Sequence, residues 1–239
     1  MHFSLITPTP GHERDAAHEW IRGAYAEHQW LWRFLPAPEG TPRRFLFRRR
    51  DIEGLPRFYV VSAHPPVAPT AHWQVHTKPY APELAAGDQL AFDLRANPVV
   101  TRRNAAGKAA RHDVVMQAKT QLLKERGMSR WADWTSPDRP ALPDLARRNC
   151  GAWLLQRCDA LGVTVDAESL RVEGYEQHRG KAGDLRFSTV DFSGLLQVRD
   201  PASLQRALFG GVGHAKAFGC GLLLVRPVAL APAPRTEVS

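Results

Sequence analysis

Apolar and polar positions alternate along the chain in a way that divides it into short strands and helices. Phe3 to Thr7 reads as an apolar strand, and Pro8, Pro10 and Gly11 interrupt the pattern after it. From Glu13 to Leu35 an apolar stripe of Ala17, Ile21, Ala24, Leu31 and Leu35 keeps helical spacing, which predicts one helix with His28 on the same stripe. Pro36, Pro38, Gly40 and Pro42 stop it. Phe45-Leu46-Phe47 and Phe58-Tyr59-Val60-Val61 then read as strands joined by a charged turn containing Gly54. A third strand pattern, Trp73-Gln74-Val75, follows a proline-rich connection. Leu90 to Leu94 alternates cleanly and runs into Asn97-Pro98. The first part is therefore β-α-β-β, a weak helix or loop, then β.

After Thr101 the composition shifts to Arg102, Arg103, Asn104, Ala105, Ala106, Gly107 and Lys108, so a linker is expected over about residues 100–111. Helical periodicity returns over Val114–Glu125 and Leu142–Leu161, the second stretch offering Trp153, Leu154, Leu155 and Leu161 to a core. Residues 135–143 read as a surface loop. Leu170–Glu176 and Leu185–Val198 look like strands of a hairpin whose tip, residues 178–184, is basic. A short helix over Ser203–Leu208 precedes a glycine-rich turn and an apolar strand over Leu222–Val225, and residues 229–239 read as a loose tail. Each half can be drawn as βαββαβ. The expected class is α+β, with two tandem ferredoxin-like (RRM-like) domains over residues 1–100 and 101–228, the second more irregular.

The length of 239 residues suits two such domains, and a hydrophobic content of 44% supplies their cores. Lys and Arg outnumber Asp and Glu by 32 to 24, a formal charge of +8 that makes polyanions natural partners. Cys150, Cys158 and Cys220 show no Cys-x-x-Cys spacing, so neither a disulfide framework nor a zinc knuckle is indicated and the thiols read as reduced. No stretch approaches the ~18 apolar residues of a membrane span, and the first residues lack the pattern of a signal peptide, which leads to an expected cytoplasmic location.

Several groups of residues are candidates for chemistry. His28 and Tyr25, three apart on one helical face, are two proton-transfer groups, although the same pair also suits a mixed core position. The segment from Gly210 to Gly221 holds five glycines and Lys216, so its backbone N–H groups, at Gly211 and Gly213 among others, can approach a phosphate. A flexible strand lead-in explains the glycines equally well, and neither Gly-x-x-x-x-Gly-Lys-Ser/Thr nor Gly-x-Gly-x-x-Gly is present. Three basic runs stand out: Arg43, Arg44, Arg48, Arg49 and Arg50; Arg102, Arg103, Lys108 and Arg111; and Arg179, Lys181 and Arg186. Interleaved with Trp30, Trp32, Phe45 and Phe47, they fit phosphate contacts combined with base stacking. His112-Asp113 lacks further ligands at helical positions, and His72 and His76 fall on a strand pattern, so neither supports a metal site and no cofactor is expected. Metal-free histidine chemistry remains.

Three segments together resemble the CasE family, the repeat-RNA endoribonucleases of type I-E CRISPR systems. They are Tyr25-Ala-Glu-His28-Gln-Trp-Leu-Trp32-Arg-Phe-Leu-Pro36 with Arg44-Phe-Leu-Phe47; Leu94-Arg-Ala-Asn-Pro98 with Gly107-Lys108 and Arg111; and Gly211-Val-Gly-His-Ala-Lys216-Ala-Phe-Gly-Cys-Gly221-Leu-Leu. The stretch from about Met116 to Leu170 matches poorly. The resemblance implies two ferredoxin-like domains that bind the CRISPR repeat stem-loop, cut at its base and keep the product. It also implies membership in the type I-E surveillance complex beside other protein subunits. A non-catalytic RNA-binding module with an inert His28 is the alternative.

Overall fold

A computed structural model describes residues 1–20, 24–38, 40–103, 107–179 and 186–228, and of Ala24 and Tyr25 the backbone alone. Strand β1 (His2–Pro8) leads through α1 (Glu13–Glu19) and α2 (Ala24–Leu31) to the hairpin of β2 (Phe45–Ile52) and β3 (Leu55–Ser62), and then to β4 (Trp73–Pro79). β1 pairs antiparallel with β3 on one side and β4 on the other, and β2 pairs with β3, giving the order β2-β3-β1-β4. That is the ferredoxin-like order, with a proline-rich connection in place of the second helix.

Alternation along β2 explains why Phe-Leu-Phe is apolar throughout. Phe45 and Phe47 face Ala16, Trp20, Trp30 and Leu31 from the helices, while Leu46 faces the other way and joins Val61 and Leu222. A strand covered on both faces reads as a continuous apolar run.

The second half runs β5 (Gln89–Ala96), β6 (Val99–Arg103), β7 (Ala109–Asp113), α3 (Val114–Glu125), α4 (Leu142–Leu155), α5 (Cys158–Leu161), β8 (Val163–Val165), β9 (Arg171–Arg179), β10 (Arg186–Val198), α6 (Pro201–Gly210) and β11 (Leu223–Pro227). Its main sheet has the order β11-β5-β10-β8, with β9 also paired to β10. With β5 as first strand and β11 as last, this repeats the ferredoxin-like order. Leu94, Trp153, Leu154, Phe192, Leu204 and Leu208 lie at the centre of its core.

Several expectations need correction. The alternating stretch Leu90–Leu94 was expected to close the first domain, but as β5 it pairs with β10 and β11 and opens the second sheet. The sheets therefore divide between β4 and β5, ahead of residue 100. Alternation identifies a strand but does not name its partner, which is chosen by contacts distant in sequence. The expected linker over 100–111 is the β6–β7 hairpin, exposed on both faces over 101–103 and 109–112, so that no alternation is left to read. The helix expected over Glu13–Leu35 is two helices, because Trp20 leaves helical geometry (φ −89°, ψ 113°) and buries its ring in the first core. The second long helix likewise divides into α4 and α5 around Gln156 and Arg157, and β8 was not foreseen. The tail over 229–239 lies outside the described residues.

Arg48 fastens the two sheets together. It is 4% exposed and binds Asp93 on β5 and, at 3.2 Å, Asp191 on β10. Arg50 also pairs with Asp93, and Arg95 holds Asp191 at 2.9 and 2.7 Å.

Candidate active site and nucleic-acid interface

His28 sits on α2 with its ring half-buried against β2, stacked on Phe45 (centroids 5.9 Å apart, 23° between planes) and edge-on to Trp32 at 6.2 Å. The guanidinium of Arg43, just ahead of β2, lies 6.0 Å from the centre of the same Phe45 ring. Burial, and then the positive charge of Arg43, hold the His28 imidazole below its ordinary pKa, so it is neutral and able to accept a proton at neutral pH. Burial also lowers the pKa of Arg43. The His28 Nε2 and Arg43 Nη1 atoms are shut off from solvent with no hydrogen-bond partner among the described residues. An orphaned buried polar atom costs about 1–3 kcal/mol, a cost that a ligand hydrogen-bonded at this position would relieve.

The glycine-rich turn completes the cluster from the other end of the chain. Lys216, in a short 3-10 turn over Lys216–Phe218, donates from Nζ to the carbonyl of Gly210 at 2.5 Å. Its pKa is lowered by burial and then by the positive charge of Arg43, and the turn packs on both α2 and β2. Packing explains part of the glycine content: a Cβ on Gly211 (φ +76°) would lie 2.8 Å from Leu46, and one on Gly219 (φ +75°) 3.3 Å from Phe47. Both neighbours are on β2, so the turn is seated on the first sheet. The Gly211 N–H, expected to approach a phosphate, is instead taken: it donates to the Ala207 carbonyl at 2.8 Å and closes α6. Gly213 (φ +73°) is exposed beside the edge of Trp153.

A wider basic surface adjoins this cluster. The His214 pKa is lowered first by burial and then by Arg111, Lys216 and Arg157, so the turn gathers cations from β7, α4's end and itself. Arg102, Arg103, Lys108 and Arg111 are all exposed on the β6–β7 hairpin. Arg179 and Arg186 face each other across the last described pair of the β9–β10 hairpin, an arrangement of like charges that favours a polyanion between or beside them. Lys181, in the tip, lies outside the described residues. A ladder of stacked rings joins this hairpin to the lysine turn: His178 on Phe187 at 4.7 Å, and Phe187 on Phe218 at 4.6 Å.

The structure thus unites His28 with Lys216, and Arg111 with Lys216, while Arg102, Arg103 and Lys108 stay on their hairpin. The side chain of Tyr25 lies outside the described residues. Arg43 had been read as one member of a basic run. Nothing local distinguishes it from Arg44, and the signal lies in its two neighbours distant along the chain. Poor metal prospects at His112-Asp113 have a structural counterpart: Asp113 caps α3 by accepting from the N–H groups of Val115 and Met116 at 2.8 Å, and it also accepts from the Tyr175 hydroxyl at 3.0 Å. No described helix is long and apolar enough to cross a membrane.

A family model described as CRISPR associated protein matches residues 1–227. The CRISPR system Cascade subunit CasE of Escherichia coli (strain K12) is 28% identical over 216 residues, which cover 89% of this chain and 96% of that protein. The CRISPR-associated endoribonuclease Cse3 of Thermus thermophilus is 31% identical over 162 residues, 63% of this chain and 61% of that protein. Among solved structures, the CRISPR endoribonuclease Cse3 bound to a 19-nucleotide RNA aligns with a TM-score of 0.63 and 26% identity over 95% of this chain and 98% of that one. The CRISPR-associated protein Cas6e from E. coli K-12 aligns with a TM-score of 0.60 and 26% identity over 95% of this chain and all of that one.

Proposed function

The chain belongs to the CRISPR-associated protein family matched over residues 1–227, and on that premise we propose that it is a metal-independent endoribonuclease that cuts CRISPR repeat RNA into guide RNA. One observation carries the reading. His28, Arg43 and Lys216, brought together from α2, the start of β2 and the glycine turn, offer a neutral imidazole and two cations, with two buried polar atoms lacking partners among the described residues.

These groups fit attack by the RNA's own 2′-hydroxyl. The imidazole of His28 takes the 2′-OH proton, the 2′-oxygen forms a bond to the adjacent phosphorus, and the bond from phosphorus to the 5′-oxygen breaks. The 5′-oxygen leaves with a proton from water, giving a 2′,3′-cyclic phosphate and a 5′-OH. Arg43 and Lys216 face the charge that accumulates on the phosphoryl oxygens. Tyr25, one turn before His28, hydrogen-bonds the scissile phosphate or orients the sugar. Gly213 and the exposed arginines of both hairpins hold the repeat stem through its phosphates, since the deep major groove of A-form RNA is closed to side-chain readout. After cutting, the protein stays on its product as a subunit of a type I-E surveillance complex; the E. coli relative is named as a subunit of Cascade. It works in the cytoplasm with its three buried cysteines as free thiols.

The test is cleavage of a labelled repeat stem-loop in EDTA under single-turnover conditions. The wild type is expected to yield the cyclic phosphate and the 5′-OH, a 2′-deoxy nucleotide at the cut is expected to block the reaction, and His28→Ala is expected to lose about 10²–10⁴-fold in rate while still binding. Strict dependence on magnesium, or full activity of His28→Ala, sinks the mechanism. Binding by the wild type without any cleavage leaves a non-catalytic RNA-binding module.

A further inference from the structure

The pairing of β1 with β4 sets Pro8 opposite Trp73, which brings the residues flanking those two positions together. The Thr9 N–H donates to the His72 carbonyl at 2.9 Å, and the His12 N–H donates to the Thr9 carbonyl, also at 2.9 Å. His12, immediately before α1, is thereby fixed beside His72, the residue preceding β4, with the two rings 5.4 Å apart. Asp15 lies one helical turn beyond His12 and shares its face. One nitrogen from each imidazole and one Asp15 carboxylate oxygen all lie within 4.8 Å of one another.

We propose that His12, Asp15 and His72 form a binding site for a divalent transition-metal ion of the zinc type. Glu19, one further turn along α1, accepts from His72 Nδ1 at 2.7 Å. That bond fixes the tautomer and leaves the Nε2 lone pair free to bind the ion, the arrangement in which a carboxylate orients a metal-binding histidine. Glu19 is itself held by the Thr70 hydroxyl at 3.1 Å and by Arg33 at 3.7 Å. The spacing from His12 Nδ1 to Asp15 Oδ2 is 3.4 Å. This exceeds the ~2.7–2.9 Å of a charge-assisted hydrogen bond and matches the ~3.3 Å between two ligands that each stand ~2.0–2.1 Å from one tetrahedral ion.

Two imidazoles and one carboxylate select a zinc-type ion over magnesium or calcium, which take shells of oxygen. Water fills the fourth position. The ion would staple the first turn of α1 to the start of β4, and so fix the element that leads into α2. The site shares no residue with His28, Arg43 or Lys216, so its loss is not expected to remove the groups proposed for cleavage. Spacing alone had set His72 against His76, which β4 carries away along a strand. The partner is His12, reached through sheet pairing.

The experiment titrates the metal-free full-length chain with zinc chloride, using a chromophoric chelator as competitor. The wild type is expected to bind one zinc that His12→Ala and His72→Ala each weaken at least tenfold, with unchanged circular dichroism. Glu19→Gln is expected to weaken it about 10–100-fold, as removal of a supporting carboxylate does. Zinc, and not magnesium, should raise the melting temperature of the wild type and fail to raise that of the His12→Ala/His72→Ala double variant. Cobalt(II) should give the intense visible bands of a tetrahedral ion. Zinc binding that the double variant retains, or no saturable binding by the wild type, overturns the proposal. Neither result bears on cleavage, which is read separately.

Discussion

Arg43→Ala separates two contributions that one side chain makes to the proposed reaction. A phosphate oxygen at ion-pair distance, about 4 Å, in half-buried surroundings with an effective dielectric constant of about 20 interacts with a guanidinium by about 4 kcal/mol. One preorganised donor aimed at developing charge contributes about 2.7–4 kcal/mol to a transition state. The single-turnover rate should therefore fall by about 10²–10³-fold. The second effect is on His28, held low first by burial and then by the charge of Arg43. A base works in its neutral form, so activity is lost as pH falls through the His28 pKa. Removing Arg43 leaves the burial and deletes the repulsion, which raises that pKa and moves the acid limb of the pH–rate profile to higher pH. Arg43→Lys keeps the charge without the fork and should leave the limb nearer its wild-type position while restoring part of the rate. The assay is cleavage of labelled repeat RNA at saturating protein across the acidic range, with affinity measured separately. A rate within threefold of wild type, or a limb that stays put in Arg43→Ala, refutes the placement of Arg43 beside His28.

Other expectations follow from the same geometry. Lys216→Ala should slow single-turnover cleavage and weaken repeat binding together, and unchanged values for both would leave the glycine turn a packing element. Replacing Arg179, Lys181 and Arg186 with alanine should lower repeat affinity and reduce the slope of log Kobs against log salt by about 0.7–0.9 per lost phosphate contact, measured by filter binding. Arg48→Ala leaves Asp93 and Asp191 without their shared buried cation. Because Arg50 and Arg95 still reach those carboxylates, the loss should sit near the lower end of the usual range, about 3 kcal/mol in urea unfolding, and an unchanged midpoint would show that Arg48 adds nothing to the join made by Arg50 and the cluster around Leu46, Val61 and Leu222.

Legibility from sequence varied with how local each cause was. α3 runs over Val114–Glu125 as its periodicity predicts, because its start is fixed by the side chain of the adjacent Asp113. α6 was legible for the same reason, since the side chain of the adjacent Asp200 caps its start, and β9 and β10 pair close in sequence. β5 shows the limit: its alternation was plain, but its partners β10 and β11 are distant and nothing within Leu90–Leu94 points to them. The β6–β7 hairpin is solvated along its outer residues and so carries no hydrophobic period. In the candidate site, the place of His28 on a helical face and of Lys216 in a glycine-rich turn was legible. Arg43 was one arginine in a run, and its position near both depends on how the turn seats on β2.

That seating also has a consequence in time. His28 and Arg43 leave the ribosome well before Gly211, which lies against Leu46, and Lys216. A ribosome-bound chain stalled before Gly210 would carry the first sheet with no lysine turn docked on it, and RNA incubated with such a stalled complex should remain uncut. On the proposed mechanism, a nascent chain beside the ribosome's own RNA therefore lacks its full set of cutting groups until the glycine turn has emerged and docked on β2.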